Sequence, residues 1–141
     1  MHLPDVNFWL AVTFDSHAHH PTAKAWFDGL STGEVCFFCR LAQQGVLRLA
    51  TNRSVFGKHA LTLAEAWQKY DLLLGDPRVA FADEPADVEK HWRAFTQSHT
   101  YSPKVWNDAY LAAFALAAKL NVVTFDRGLS RYTNVNCIIL P

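Results

Sequence analysis

Three acidic residues stand where a chain could use them for chemistry. Asp108 opens an almost wholly apolar stretch, Trp106-Asn107-Asp108-Ala109-Tyr110-Leu111-Ala112-Ala113-Phe114-Ala115. Asp126 ends the short run Asn121-Val122-Val123-Thr124-Phe125, and Asp5 follows His2-Leu3-Pro4 near the start. A carboxylate near the start of a buried helix is costly unless a cation or donors compensate it. Each acid also has a plain structural reading. Asp5 suits a helix cap, Asp108 a charge satisfied by helix amides, and Asp126 an Asx-turn before Gly128. Taken together, they predict three carboxylates gathered at one edge of a sheet around a divalent metal. Oxygen-rich sites with few protein ligands suit Mg²⁺ or Mn²⁺. Such an ion polarises a phosphodiester, activates water and steadies the leaving oxygen.

Other chemistries have weaker support. The chain has no GxxxxGK[ST], GxGxxG or GxSxG, so nucleotide-fuelled, dinucleotide-dependent and serine-hydrolase readings lack a motif. His17, His19 and His20 crowd one polar turn, but no Cys or carboxylate follows at helical ligand spacing, and the turn reads as a solvated loop. Cys36 and Cys39 form a single CxxC that reads as the end of an apolar strand, with the thiols as small buried hydrophobes.

The elements that must position the acids follow from periodicity. The 141 residues, half of them hydrophobic, predict a single domain, 1–141, with a substantial core. A short strand over Leu3–Asp5 leads into a helix, Val6–Phe14, with Trp9, Leu10 and Val12 inward. A second helix, Thr22–Leu30, presents Ala25, Trp26 and Leu30. A strand at Glu34–Phe38 precedes an amphipathic helix, Arg40–Thr51. The basic stretch 52–59 reads as irregular, either a substrate-side loop or solvated surface. Thr62 and Glu65 stand at capping-box spacing before a helix running to Leu74. Then come a strand at Arg78–Ala82, a helix at Pro85–Gln97, a polar loop at 98–103, the apolar helix Lys104–Leu120, and strands at Val122–Phe125 and Cys137–Leu140. This alternation predicts an α/β fold with a mainly parallel sheet covered on both faces. An acid after such a strand sits where parallel sheets open their ligand crevice.

Thirteen basic and thirteen acidic residues cancel, so net charge gives no long-range capture of nucleic acid. No apolar run approaches the ~20 residues of a membrane span, and Asp5 interrupts any signal-like start, so a cytoplasmic protein is expected.

Leu3-Pro4-Asp5-Val6-Asn7, Asn107-Asp108-Ala109-Tyr110-Leu111-Ala112-Ala113 and Val123-Thr124-Phe125-Asp126-Arg127-Gly128 together resemble a PIN-domain ribonuclease. The similarity is greatest to the VapC toxins of bacterial toxin–antitoxin pairs, and it covers nearly the whole chain in order and spacing. It implies a three-layer sandwich around a sheet of about five parallel strands. It further implies a Mg²⁺- or Mn²⁺-dependent endoribonuclease, homodimerisation, and inhibition by a cognate VapB antitoxin. Family metal ligands carry over to Asp5, Asp108 and Asp126. Asn7 and Thr124 match polar positions that hold a carboxylate or a water. The chain departs from the family pattern after the second strand, where the family usually has a glutamate. Here the residues are Arg40-Leu41-Ala42-Gln43-Gln44-Gly45, with Gln43 the best match and Gln44 next. An amide supplies a carbonyl oxygen but no charge, so a second metal is left open. The family reaction leaves 5′-phosphate and 3′-hydroxyl ends. Arg40, Arg48, Lys104 and Arg127 are candidates to meet RNA phosphates, and Trp106 or Tyr101 to stack a base. Two alternatives stay open: a catalytically weak or inactive RNA-binding module, and a phosphatase or DNA nuclease built on the same acids.

Overall fold

The structure, a computed structural model, describes residues 1–97 and 100–141. Part of the loop expected at 98–103 therefore lies outside the described residues. Five short parallel strands form one sheet: β1 (His2–Pro4), β2 (Cys36–Phe38), β3 (Val79–Phe81), β4 (Asn121–Thr124) and β5 (Cys137–Ile139). Their spatial order is β3-β2-β1-β4-β5. The chain therefore winds outward in one direction from β1, then returns to build on its other side. With right-handed crossovers, that reversal places the connecting helices on opposite faces.

Seven α-helices flank the sheet among the described residues. These are α1 (Val6–Thr13), α2 (His20–Asp28), α3 (Arg40–Ala50), α4 (Arg53–Phe56), α5 (Leu63–Leu74), α6 (Val88–Phe95) and α7 (Val105–Ala118). Helix α1 packs on α2 and α3, α3 also meets α5, and α6 packs along α7. The expected α/β sandwich is the observed architecture. Strands buried on both faces need continuous apolar runs, and Leu3, Phe38, Val122 and Val123 are each fully buried. Trp9 on α1 stacks on Phe38 with ring centroids 4.0 Å apart. Helix α7 is buried along Ala109 and Leu111–Ala115, as its composition requires.

Several local expectations need correction. The stretch 52–59 is not irregular: Asn52 caps α4, and a 3-10 turn follows at Gly57–His59. Helix α6 starts at Val88 rather than Pro85, because 85–87 form a turn. On α2 Ala23 and Phe27 are buried, and Trp26 and, just past the helix, Leu30 pack partly buried against the core as expected, while Ala25 is exposed. The turn after β4 extends into a 3-10 helix, Arg127–Arg131. Thr62 caps α5 as its spacing predicts, accepting from the Glu65 amide at 3.2 Å.

Gly45 has a specific reason to be glycine. A Cβ there would lie 2.5 Å from a Val6 methyl, so the bare backbone lets α3 approach α1.

Candidate active site

Chain order in the sheet reverses between β1 and β4, and ligand crevices of open parallel sheets form at such a point. Asp5 leaves the end of β1, and Asp126 follows the end of β4. The two strands pair in register with Pro4 opposite Val123, and the Asp5 amide donates to the Val123 carbonyl at 3.0 Å. Residues 119 apart in sequence are thereby held at one level.

A hydrogen-bonded chain links the two acids. Asp5 caps α1, its Oδ1 accepting from the Phe8 amide at 2.7 Å. Its Oδ2 accepts from the Thr124 hydroxyl at 2.6 Å. The same Thr124 Oγ1 accepts the Asp126 amide at 2.8 Å. Asp126 Oδ1 in turn accepts from the Gly128 amide at 2.8 Å, and Oδ2 meets Lys104 Nζ at 3.4 Å. The capping and Asx-turn readings of Asp5 and Asp126 are thus both realised, and each leaves its carboxylate facing the same cavity.

That cavity, of about 590 Å³, is lined by Asp5, Asp108 and Asp126. Asn7, Gln44, Arg48, Lys104 and Asn107 add polar surface, while Leu41, Leu49, Leu111 and Leu129 supply apolar wall. Its electrostatics are unbalanced. Burial pushes the Asp5 carboxyl up to about 6, against the pull of the Thr124 and Phe8 hydrogen bonds, and the charges of Asp126 and Asp108 push it further. Asp108 is also raised, first by burial and then by Asp126. No donor among the described residues is hydrogen-bonded to it, so helix amides do not satisfy this acid. Asp126 is lowered, chiefly by the Gly128 amide and then by Lys104.

The remaining expected residues divide. Asn7, Arg48 and Lys104 line the cavity, and Thr124 is fully buried beneath it. Gln43 is not in it: its side chain is buried and accepts a hydrogen bond from the Arg40 guanidinium, which lies over the Phe81 ring at 4.6 Å. Gln44 takes the cavity-facing place on α3, and the helix phase turns Gln43, the preferred match, away from it. Arg40 and Arg127 fall outside the lining. Trp106 turns away from the cavity toward Trp92, with ring centroids 6.0 Å apart. Arg131, unmarked in the sequence reading, places its charge near Asp108 and Asp126. Its position at the end of an unforeseen 3-10 helix is why it was missed.

The donor set fits a hard divalent cation. It offers carboxylate oxygens from three elements, and two of the acids carry a desolvation cost that a cation would relieve. Among the described residues, no three His, Cys, Asp or Glu side chains are already drawn together tightly enough to hold an ion. Asp126 is turned toward Gly128 and Lys104. The His17–His20 turn likewise forms no metal cluster among the described residues. The cysteines are free, and burial raises the Cys36 thiol to about 12.

Comparison with known proteins identifies the family and the fold. Residues 3–135 match the PIN domain family. The chain is 43% identical over 144 residues to Ribonuclease VapC41 of Mycobacterium tuberculosis, covering 99% of each. Among solved structures, VapC20 of Mycobacterium tuberculosis, a Sarcin-Ricin loop cleaving toxin, superposes with a TM-score of 0.72 at 20% identity over the full length of both chains. VapBC2 from Rickettsia felis, bound to a DNA fragment from its promoter, gives 0.73 at 12% identity, covering 99% of this chain and 98% of that one. The chain belongs to the PIN-domain family, in its VapC branch.

No helix among the described residues is long and apolar enough to cross a membrane.

Proposed function

We propose that the chain is a divalent-metal-dependent endoribonuclease, the toxin of a VapBC-type pair, acting in the cytoplasm. The observation that carries this reading is the cavity at the β1–β4 switch point. Three acids from separate elements face it, and burial raises two of them, Asp5 and Asp108, above the usual carboxylate range.

Asp5, Asp108 and Asp126 are the residues that would hold Mg²⁺ or Mn²⁺. When bound, such an ion supplies Lewis-acid activation of water and of the phosphodiester. The chain supplies the positioning. Phe8 and Thr124 fix both Asp5 oxygens, so that carboxylate cannot rotate away. Lys104, whose 3.4 Å contact to Asp126 is long for a charged pair, is free to exchange that acid for an RNA phosphate. Arg48 offers a second cation from α3. Leu41, Leu49 and Leu111 exclude bulk water from one wall.

The branch also supports a VapB-type antitoxin as partner and a homodimer as the working form. The test is cleavage of tRNA, rRNA, mRNA and single-stranded DNA with and without Mg²⁺ or Mn²⁺. Metal-dependent cutting of RNA that Asp5→Asn, Asp108→Asn and Asp126→Asn each abolish is the expected result.

One observation favours a second reading. The α3 wall carries Gln44 and Arg48 but no acid. That donor set also suits a weakly active or inactive RNA-binding module. Growth arrest that survives all three Asp→Asn changes would select it.

A further inference from the structure

A second cavity, of about 460 Å³, adjoins the catalytic one and shares Asn7 and Leu49 with it. Its apolar lining is Leu10, Leu49, Phe56 and the half-exposed Val55. The Phe56 ring is held in place by stacking on Phe14, with centroids 4.1 Å apart and planes 18° from parallel. Its rim is polar, made by Asn7, Ser16, His17 and His59. Two stretches without a role so far, the histidine turn and the basic segment 52–59, are what build it.

The rim offers hydrogen-bonding groups. His17 Nδ1 accepts the His19 amide at 3.1 Å, which leaves Nε2 to carry the ring proton as a donor. Burial and the neighbouring His19 and His20 hold His17 below its usual range, so the ring is neutral near pH 7. Ser16 and Asn7 both donate and accept. A phosphate would call for fixed cations, and among the described residues no Lys or Arg lines this cavity. An aromatic base calls for an apolar floor and hydrogen-bonding groups along its edge.

We infer that this cavity is a subsite for the unpaired base of a nucleotide neighbouring the scissile phosphate, with Ser16 and His59 reading the base edge. The inference rests on the ribonuclease reading, since Asn7 joins the two cavities.

The test uses the full chain carrying Asp108→Asn, which binds without cutting, and short fluorescein-labelled single-stranded RNAs. Each RNA is used intact and with one abasic position. Ser16→Ala with His59→Ala is the test pair, because both residues are exposed and neither change removes a buried group. The pair is expected to weaken binding of the preferred RNA about tenfold. An abasic site at one position should cost the same in the parent and nothing further in the double variant. Equal abasic penalties in both proteins would overturn the subsite. So would a Val55→Asp change that releases the co-expressed antitoxin yet leaves RNA affinity intact, which would assign the cavity to a protein segment. Cleavage by the chain with Asp108 present is measured alongside. Cutting with a base preference that survives the double variant removes the subsite alone. Failure to cut or bind any RNA removes the ribonuclease reading and the subsite with it.

Discussion

Asp5→Asn separates the catalytic cost of the site from its structural cost. The carboxyl is buried and lifted from 3.8 to about 6. In the folded chain it therefore holds its proton more tightly than in the unfolded chain. Between about pH 4 and 6 the native state binds more protons, and stability falls as pH rises. The loss is absent below the unfolded value and complete above the folded one. At about 1.36 kcal/mol per pH unit, it amounts to about 3 kcal/mol above pH 6. Asparagine has no such dependence. It keeps an oxygen for the Phe8 amide but meets the Thr124 hydroxyl with an amide, a loss of about 1 kcal/mol. Without metal at pH 7.5, Asp5→Asn should therefore be more stable than the parent by about 2 kcal/mol, or roughly 8 °C in Tm. At pH 4 it should be slightly less stable. Urea denaturation in EDTA across this range measures the difference. A pH-independent difference, or a variant less stable than the parent at pH 7.5, would refute the reasoning. Mg²⁺ should reverse the order, stabilising the parent by about 2.7 kcal/mol at a hundredfold excess over Kd and leaving the variant nearly unmoved.

Further outcomes follow from the same contacts. Thr124→Val removes the donor to Asp5 and the acceptor of the Asp126 amide, so a loss of about 1–3 kcal/mol is expected, larger at pH 7.5 than at pH 4; urea curves at the two pH values check it. Gly45→Ala should destabilise by about 1–3 kcal/mol through the Val6 clash, rather than stabilise as an ordinary helical Gly→Ala would. Adding Val6→Ala should restore part of that loss in thermal melts. Lys104→Met removes the cation that competes for Asp126, so calorimetry should show tighter Mg²⁺ binding while KM for RNA rises.

The acids were legible one by one because their local roles are local physics. Asp5 before Val6 is a cap, Asp126 two residues before Gly128 is an Asx-turn, and Asp108 is a lone charge on an apolar helix. The alternation of short apolar runs with amphipathic stretches likewise reads as a parallel sheet, since both faces of each strand must be covered. The segment 52–59 was harder, because a four-residue helix is too short to show a period.

What the chain determined by itself was the element order, the α/β class and the three acids at strand and helix ends. All of these depend on neighbours a few residues away. Tertiary structure alone decided which amide on α3 faces the cavity, because one residue rotates a helix by about 100° and sends Gln43 inward and Gln44 outward. It also decided that Thr124 would tie Asp5 to Asp126, a bond across 119 residues that exists because β1 and β4 pair in register. The cavity built by His17, Val55 and His59 has the same origin: its walls belong to elements whose relative placement is set by packing, and no spacing along the sequence encodes it.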